Sequence, residues 1–361
     1  MTRTCKNFDV FFRRRFASPE ISLAGVVAAR NFGRRRSGRG SGQSGDRLNV
    51  GRLKLIRDLN PNEDTLLGNV TSFSYKSLKK ATNNFSNRLR SNGFPSSYKG
   101  TLTDGLQVIV NVYRTDYSVI DLASIIKIMS GVRHQNVVEL IGYCIEGNHK
   151  MLVHEFVGDC SLDQLLFPDS SSGVGDRSVL DWPMRVSICF KIVRVLEYLH
   201  CGISPRVVLR DFKPGNVLMD SSFNPKIVGF ECSSLLEDSE LDRSSRICGT
   251  IGYLDIEYCI TGRYSEKTDV FSFGITLLEI ISGKKNLRFI LVNWAWDLQA
   301  SGRIPEIVDP TLSQVSEDEV IRFVKVALSC VQYSELRPSM SEVRVMLSDG
   351  YDFSNMVLTR P

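Results

Sequence analysis

The sequence lacks the marks of several protein classes. Among its 361 residues there is no Cys-x-x-Cys pair and no cluster of histidine with cysteine. Nine cysteines are scattered without pattern. Such an odd, unpatterned set argues against a zinc site and against a disulfide scaffold, and fits reduced thiols in the cytosol. Long apolar runs are also missing. The longest near the N-terminus, ISLAGVVAA from Ile21 to Ala29, falls far short of the ~20 residues a membrane-spanning helix needs. No later stretch is long and uncharged enough, so a receptor with its own ectodomain is not expected. Internal repeats are absent. An excess of positive charge is absent from most of the chain as well. The net charge is +5, yet the first forty residues hold ten Lys/Arg against two Asp/Glu. The remaining 321 residues are therefore net −3.

What is present suits a folded protein of one large domain or two ordinary ones: 42% hydrophobic and 24% charged residues. The basic stretch reads FFRRRF, then NFGRRRSGRGSGQSG from Asn31 to Gly45. Arg clusters among Gly and Ser offer no face to bury, so residues 1–70 are expected to form a disordered tail. A solvated basic tail is the plain reading. Peripheral contact with an anionic membrane, a nucleic-acid contact and an Arg-rich transit segment are the alternatives; nucleic acid is not favoured. Thr2 excludes N-myristoylation. Cys5 is a candidate palmitoylation site on weak grounds. The expected location is cytoplasmic, with the inner face of the plasma membrane as an option.

From Phe73 onward the pattern is that of a folded domain. FSYKSLKKATNNFS reads as a short amphipathic helix closing in a polar turn. QVIVNVYR (Gln107 to Arg114) and KMLVHEFV (Lys150 to Val157) read as strands. DLASIIKIMSGV, from Asp121 to Val132, places Leu122, Ile125, Ile126 and Met129 at helical spacing. Beyond Ser161 helices dominate: Trp182 to His200, Ser265 to Ser282, Glu317 to Gln332 and Ser341 to Leu347. The expected class is α+β, with a β-rich lobe over about 71–157, a helical lobe over about 158–348, a cleft between them and a short tail at 349–361.

Several ordered motifs then accumulate: VVELIGYC, SLDQLLF, ICGTIGYLDIEY, KTDVFSFGITLLEIISGKKN and LRPSMSEVRVML. With FSYKSLKKATNNFS, they resemble plant receptor-like protein kinases of the Pelle-related group, above all the cytoplasmic kinase domains of the cysteine-rich-receptor type. The resemblance covers about Thr71 to Leu347 and implies the bilobal protein-kinase fold. Phosphoryl transfer in that family needs phosphates cradled, magnesium held and the attacking hydroxyl oriented. Each requirement is tested separately here.

The resemblance aligns the glycine-rich loop on Tyr98 to Gly100, so its three glycines become Arg90, Asn92 and Pro95, with Gly93 out of register. A long side chain and a proline in that turn are expected to spoil the phosphate cradle. The strand bearing the phosphate-anchoring lysine appears as Val108-Ile109-Val110-Asn111, with Asn111 in the lysine's place. The partner glutamate, nine residues before His134, is Ile125. Losing both members of an ion pair strands no charge. Ile109 replaces the alanine that lies over adenine and is expected to narrow that slot. Glu155 and Val157 occupy the hinge. Gly229 stands where the metal-binding aspartate is expected, in Gly229-Phe230-Glu231. Asn216 is a possible metal ligand and Glu231 a doubtful substitute.

Other parts are retained. Asp211 matches the catalytic base, Lys213 the lysine aimed at the transferred phosphate, and Thr250 the residue touching both. A structural role for Asp211 and Asn216 in bracing their own loop is weighed above a catalytic one. Leu209 replaces the loop histidine and is expected to keep the stack on Phe230. Glu257 with Arg337 matches a buried ion pair, and Asp269 the residue that braces the catalytic loop. Asp255 and Ile256 depart from the family's Ala-Pro. Ser239, Ser244 and Ser245 lie where active relatives are phosphorylated, with Arg210 as the expected phosphate partner.

Removing a single preorganised charge stabiliser typically costs ~10²–10³ in rate, and although such effects do not add cleanly the combined loss is expected to exceed ~10⁵. The sequence therefore reads as a pseudokinase that binds protein partners, an active kinase or a receptor complex, and needs no cofactor. A weakly active Ser/Thr kinase using ATP and magnesium, with Lys99 and Glu231 pressed into service, is the alternative.

Overall fold

The computed structural model describes residues 70–89, 95–113, 121–168, 180–236, 242–244 and 247–361. The Arg-rich tail, Arg90, Asn92, Gly93, Ser239 and Ser245 lie outside the described residues.

The first lobe is a five-stranded sheet. Its strands are β1 (Thr71–Ser72), β2 (Ser96–Thr101), β3 (Gln107–Tyr113), β4 (Leu140–Glu146) and β5 (His149–Glu155), in the order β1-β4-β5-β3-β2. Every pairing is antiparallel except β1 with β4. Alternation along β3 sorts its side chains. Val108 and Val110 enter a small core with Leu78, Cys144, Met151 and Val153. Ile109, Asn111 and Tyr113 take the opposite face, toward the cleft. Helix α1 (Tyr75–Ala81) starts at Ser74, whose Oγ accepts from the Ser77 amide at 3.1 Å. It buries Leu78 against the sheet. Helix α2 (Leu122–Gly131) turns Leu122, Ile125, Ile126 and Met129 into the main core, at the spacing read from sequence.

The second lobe is helical, so the fold is mixed α+β, as the sequence implies. It comprises α3 (Leu162–Leu166), α4 (Trp182–Glu197), α5 (Ile256–Thr261), α6 (Glu266–Ser282), α7 (Ile290–Ser301), α8 (Glu317–Cys330) and α9 (Met340–Leu347). Short strands thread between them: β6 (Cys160–Ser161), β7 (Arg206–Val208), β8 (Val217–Met219), β9 (Pro225–Ile227), β10 (Ser234–Leu236), β11 (Asp242–Arg243) and β12 (Arg263–Tyr264). Helix α6 is buried from Thr268 to Ser282, because α4, α7 and α8 all pack on it. The stretch expected to be helical to His200 ends its α-form at Glu197 and adds one π turn, Tyr198–Gly202. That turn carries buried His200 to Asp269, 3.1 Å away. Residues beyond α9 fold back: Phe353, Met356 and Leu358 pack on the main core, and Arg360 pairs with Asp297 at 2.7 Å.

Two expectations are overturned. The cysteines are not all thiols: Cys232 and Cys248 are joined in a disulfide. They lie sixteen positions apart, but β10 folds back on β7 and β11 on β12, and this brings the ends together. The buried partner of Arg337 is not Glu257 but Asp255, at 2.6 and 3.1 Å. Glu257 stays 3.9 Å away with its side chain 39% exposed. Asp255 caps α5 through the Glu257 amide and is buried there, so its shorter side chain already lies against the guanidinium.

Candidate active site

The cleft face of β3 builds the upper wall of the site. Asn111 lies opposite Ser97 on β2, and its Oδ1 accepts from Ser97 Oγ at 2.7 Å. Asn111 and Tyr113 share the cleft face of β3. Tyr113 reaches across the cleft and donates to Glu231 Oε1 at 2.9 Å. Where the resemblance calls for a lysine and a glutamate, the structure has two hydrogen-bonded pairs, Ser97 with Asn111 and Tyr113 with Glu231. Ile125 is buried in the main core, the same cluster that Tyr113 enters. Burial pushes the Tyr113 phenol well up, with the Glu231 carboxylate adding to the effect. Burial likewise raises the Glu231 carboxyl, and the nearby Asp211 charge reinforces it.

Ile109 is half-buried between Lys99 on β2 and His154 on β5. His154 is buried, its imidazole pushed down to about 4 by that burial, and its Nδ1 has no partner among the described residues. The hinge is held by side chains. Glu155 Oε1 accepts from Lys226 Nζ at 2.6 Å and from the Glu139 amide at 2.9 Å. Lys99 Nζ lies 3.7 Å over the Phe156 ring, a cation–π contact that commits this lysine to the hinge rather than to a phosphate. Val157 follows, half-buried, and Pro95 is half-buried at the foot of β2.

The lower wall retains its polar cluster. Thr250 Oγ1 donates to Asp211 Oδ1 at 2.6 Å, and Lys213 Nζ reaches Asp211 Oδ2 at 2.9 Å and Thr250 Oγ1 at 2.5 Å. Asp269 holds the loop from below, accepting from the Leu209 and Arg210 amides at 2.8 Å each. Leu209 and Phe230 are both buried in the main core, which keeps the floor apolar. Asn216 Nδ2 donates to the Asp211 carbonyl at 2.8 Å, so this side chain braces its own loop.

A magnesium ion does not fit these side chains. Gly229 has φ of 87°, in the left-handed region. A Cβ there would lie 2.6 Å from Asn216 Cγ and 3.1 Å from its Cβ, with Nδ2 closer still. The Asn216 amide thus fills the space into which an aspartate at position 229 would extend. Glu231 faces Tyr113. Among the described residues no three His, Cys, Asp or Glu side chains gather as a metal site. Sequence reasoning missed Ser97 and Tyr113. The period-2 alternation of β3 was the available signal, since it puts 109, 111 and 113 on one face.

Comparison with known proteins bears on the family. The protein kinase domain family matches residues 111–345. The chain belongs to the protein kinase family. Cold-responsive protein kinase 1 of Arabidopsis thaliana is 35% identical over 312 residues, covering 83% of this chain and 80% of that protein. A probable LRR receptor-like serine/threonine-protein kinase of the same plant is 39% identical over 298 residues, 79% of this chain but 28% of its own length. Cysteine-rich receptor-like protein kinase 10 is 36% identical over 302 residues, 80% of this chain and 44% of its own. The kinase domain described here therefore spans less than half the length of these two receptor-like relatives, and its resemblance extends to leucine-rich and cysteine-rich types alike. No helix among the described residues is long and apolar enough to cross a membrane.

Proposed function

We propose that this protein kinase domain is a pseudokinase, which serves receptor-kinase signalling by presenting a folded bilobal surface to a protein partner. The observation that carries the reading is the Asn216 side chain lying against Gly229. It lies where the resemblance would put the metal carboxylate, which supports a loss of metal binding. Asn111 paired to Ser97, buried Ile125 and inward-facing Glu231 support the same reading. The partner proposed is an active kinase or receptor complex. The receptor-like kinase relatives support that choice. Magnesium and ATP are not required by this function, and contact of the basic tail with a membrane is a secondary proposal.

A second reading, a weak Ser/Thr kinase, is favoured by one feature. The Asp211–Lys213–Thr250 cluster has hydrogen-bond geometry suited to orienting a hydroxyl. Thermal-shift titration with ATP, with and without magnesium, tests the two. The pseudokinase reading expects no magnesium-dependent rise in melting temperature. A rise that Asp211→Asn abolishes would support the kinase reading.

A further inference from the structure

The Cys232–Cys248 bond joins two points that matter to the cleft. Cys232 closes the turn Phe230–Cys232, which begins at Gly229 and carries Glu231. Cys248 precedes Thr250, a member of the Asp211 cluster, by two residues. Both cysteines are also held by a common anchor. Arg210 Nε donates to the Cys232 carbonyl at 2.6 Å, the Cys248 amide donates to the Tyr258 hydroxyl at 3.1 Å, and Arg210 Nη1 donates to that hydroxyl at 3.3 Å. These hydrogen bonds do not need the disulfide, so they can keep the two sulfurs adjacent in the reduced protein.

Position favours exchange. Cys232 is buried, and Cys248, half-buried, is the more accessible residue of the two. The other buried cysteines are poor competitors: Cys144, Cys189 and Cys330 are free, and burial pushes each thiol up. A permanent disulfide is also unusual in a reducing cytoplasm, where such bonds are commonly transient.

We propose that Cys232 and Cys248 form a reversible redox site, exchanging with a glutathione-class disulfide and tying the Gly229–Glu231 turn to the irregular segment entering Thr250. In oxidation, the Cys248 thiolate attacks one sulfur of glutathione disulfide and releases one glutathione thiolate. The Cys232 thiolate then attacks the Cys248 sulfur of the mixed disulfide and releases the second. The two thiol protons of the protein pass to the two departing glutathiones. The protein pair is oxidised and one glutathione disulfide is reduced to two thiols. Excess glutathione reverses each step. The proposal stands whether or not nucleotide binds.

The test is a non-reducing tryptic map of the full chain, equilibrated natively across ratios of reduced to oxidised glutathione and quenched by alkylation. Cleavage after Arg243 and Arg246 separates peptide 227–243, with Cys232, from peptide 247–263, with Cys248 and Cys259. The expected result is a cross-linked pair that rises and falls reversibly with the ratio. Cys248→Ser abolishes it and Cys259→Ser leaves it unchanged. Oxidised wild type is expected to melt ~5 °C or more above the reduced form, since the bond closes a loop of this length. A cross-link absent at every ratio would overturn the proposal. So would one that persists in excess glutathione, which marks a permanent structural bond. Should Cys248→Ser fail to fold, the wild-type titration still decides.

Discussion

Gly229→Ala is the substitution that most directly probes the collapsed metal position. In most folds a glycine-to-alanine change stabilises by ~0.4–1 kcal/mol through the unfolded chain. Here two costs oppose it. The backbone is left-handed at φ 87° and ψ 43°, which costs an L-residue ~1–2 kcal/mol. The new methyl also lies within 2.6 Å of Asn216 Cγ. Asn216 must then rotate away and give up its bond to the Asp211 carbonyl, ~1 kcal/mol or more for a buried donor. The net expectation is a loss of roughly 1–2.5 kcal/mol, seen as a fall of ~2–10 °C in melting temperature. Urea unfolding at constant slope is the companion assay. Gly229→Asp should cost at least as much, and should confer no magnesium-dependent nucleotide binding. If Gly229→Ala is neutral or stabilising, the side-chain packing that carries the pseudokinase reading is wrong.

Three further outcomes follow from the same structure. Asp255→Ala strands the buried Arg337 guanidinium and should cost ~3–5 kcal/mol; Glu257→Ala, at a half-exposed site, should cost no more than ~1 kcal/mol by chemical denaturation. Glu279 is fully buried and burial raises its carboxyl from 4.5 to about 7. Its folded form holds its proton more tightly, so its contribution to stability is complete below the unfolded value and is lost as pH rises through about 7. Wild type should therefore lose roughly 2 kcal/mol relative to Glu279→Gln between about pH 5.5 and about pH 8; parallel pH profiles would refute this. Tyr113→Phe removes the donor that Glu231 faces and should cost ~1–3 kcal/mol, a loss that Glu231→Leu in the same chain should largely relieve.

The fold was legible where pattern and capping agree. Helices α2, α6 and α8 carry an apolar spacing with Asp121, Ser265 or Ser316 accepting at the N-cap. Helix α7 was not foreseen. Its ILVNWAWDLQAS is apolar around much of its circumference, and Phe289 in a left-handed conformation offers no capping bond. The site was legible as a set of replaced residues, because Asn111, Ile125 and Gly229 differ in chemistry from what the resemblance implies. How the gaps are filled was not. That Asn111 pairs with Ser97, that Tyr113 crosses to Glu231 and that Asp255 takes Arg337 all depend on which side chains meet across strands and lobes. The disulfide was hidden for the same reason: spacing alone does not show that two strand pairings bring Cys232 and Cys248 together.

Calorimetric titration of the full chain with ATP, in magnesium and then in chelator, addresses the central claim most directly. The account predicts no magnesium-dependent binding, with any residual affinity weaker than about 1 mM. Magnesium-dependent binding in the micromolar range, lost in Asp211→Asn, would contradict it.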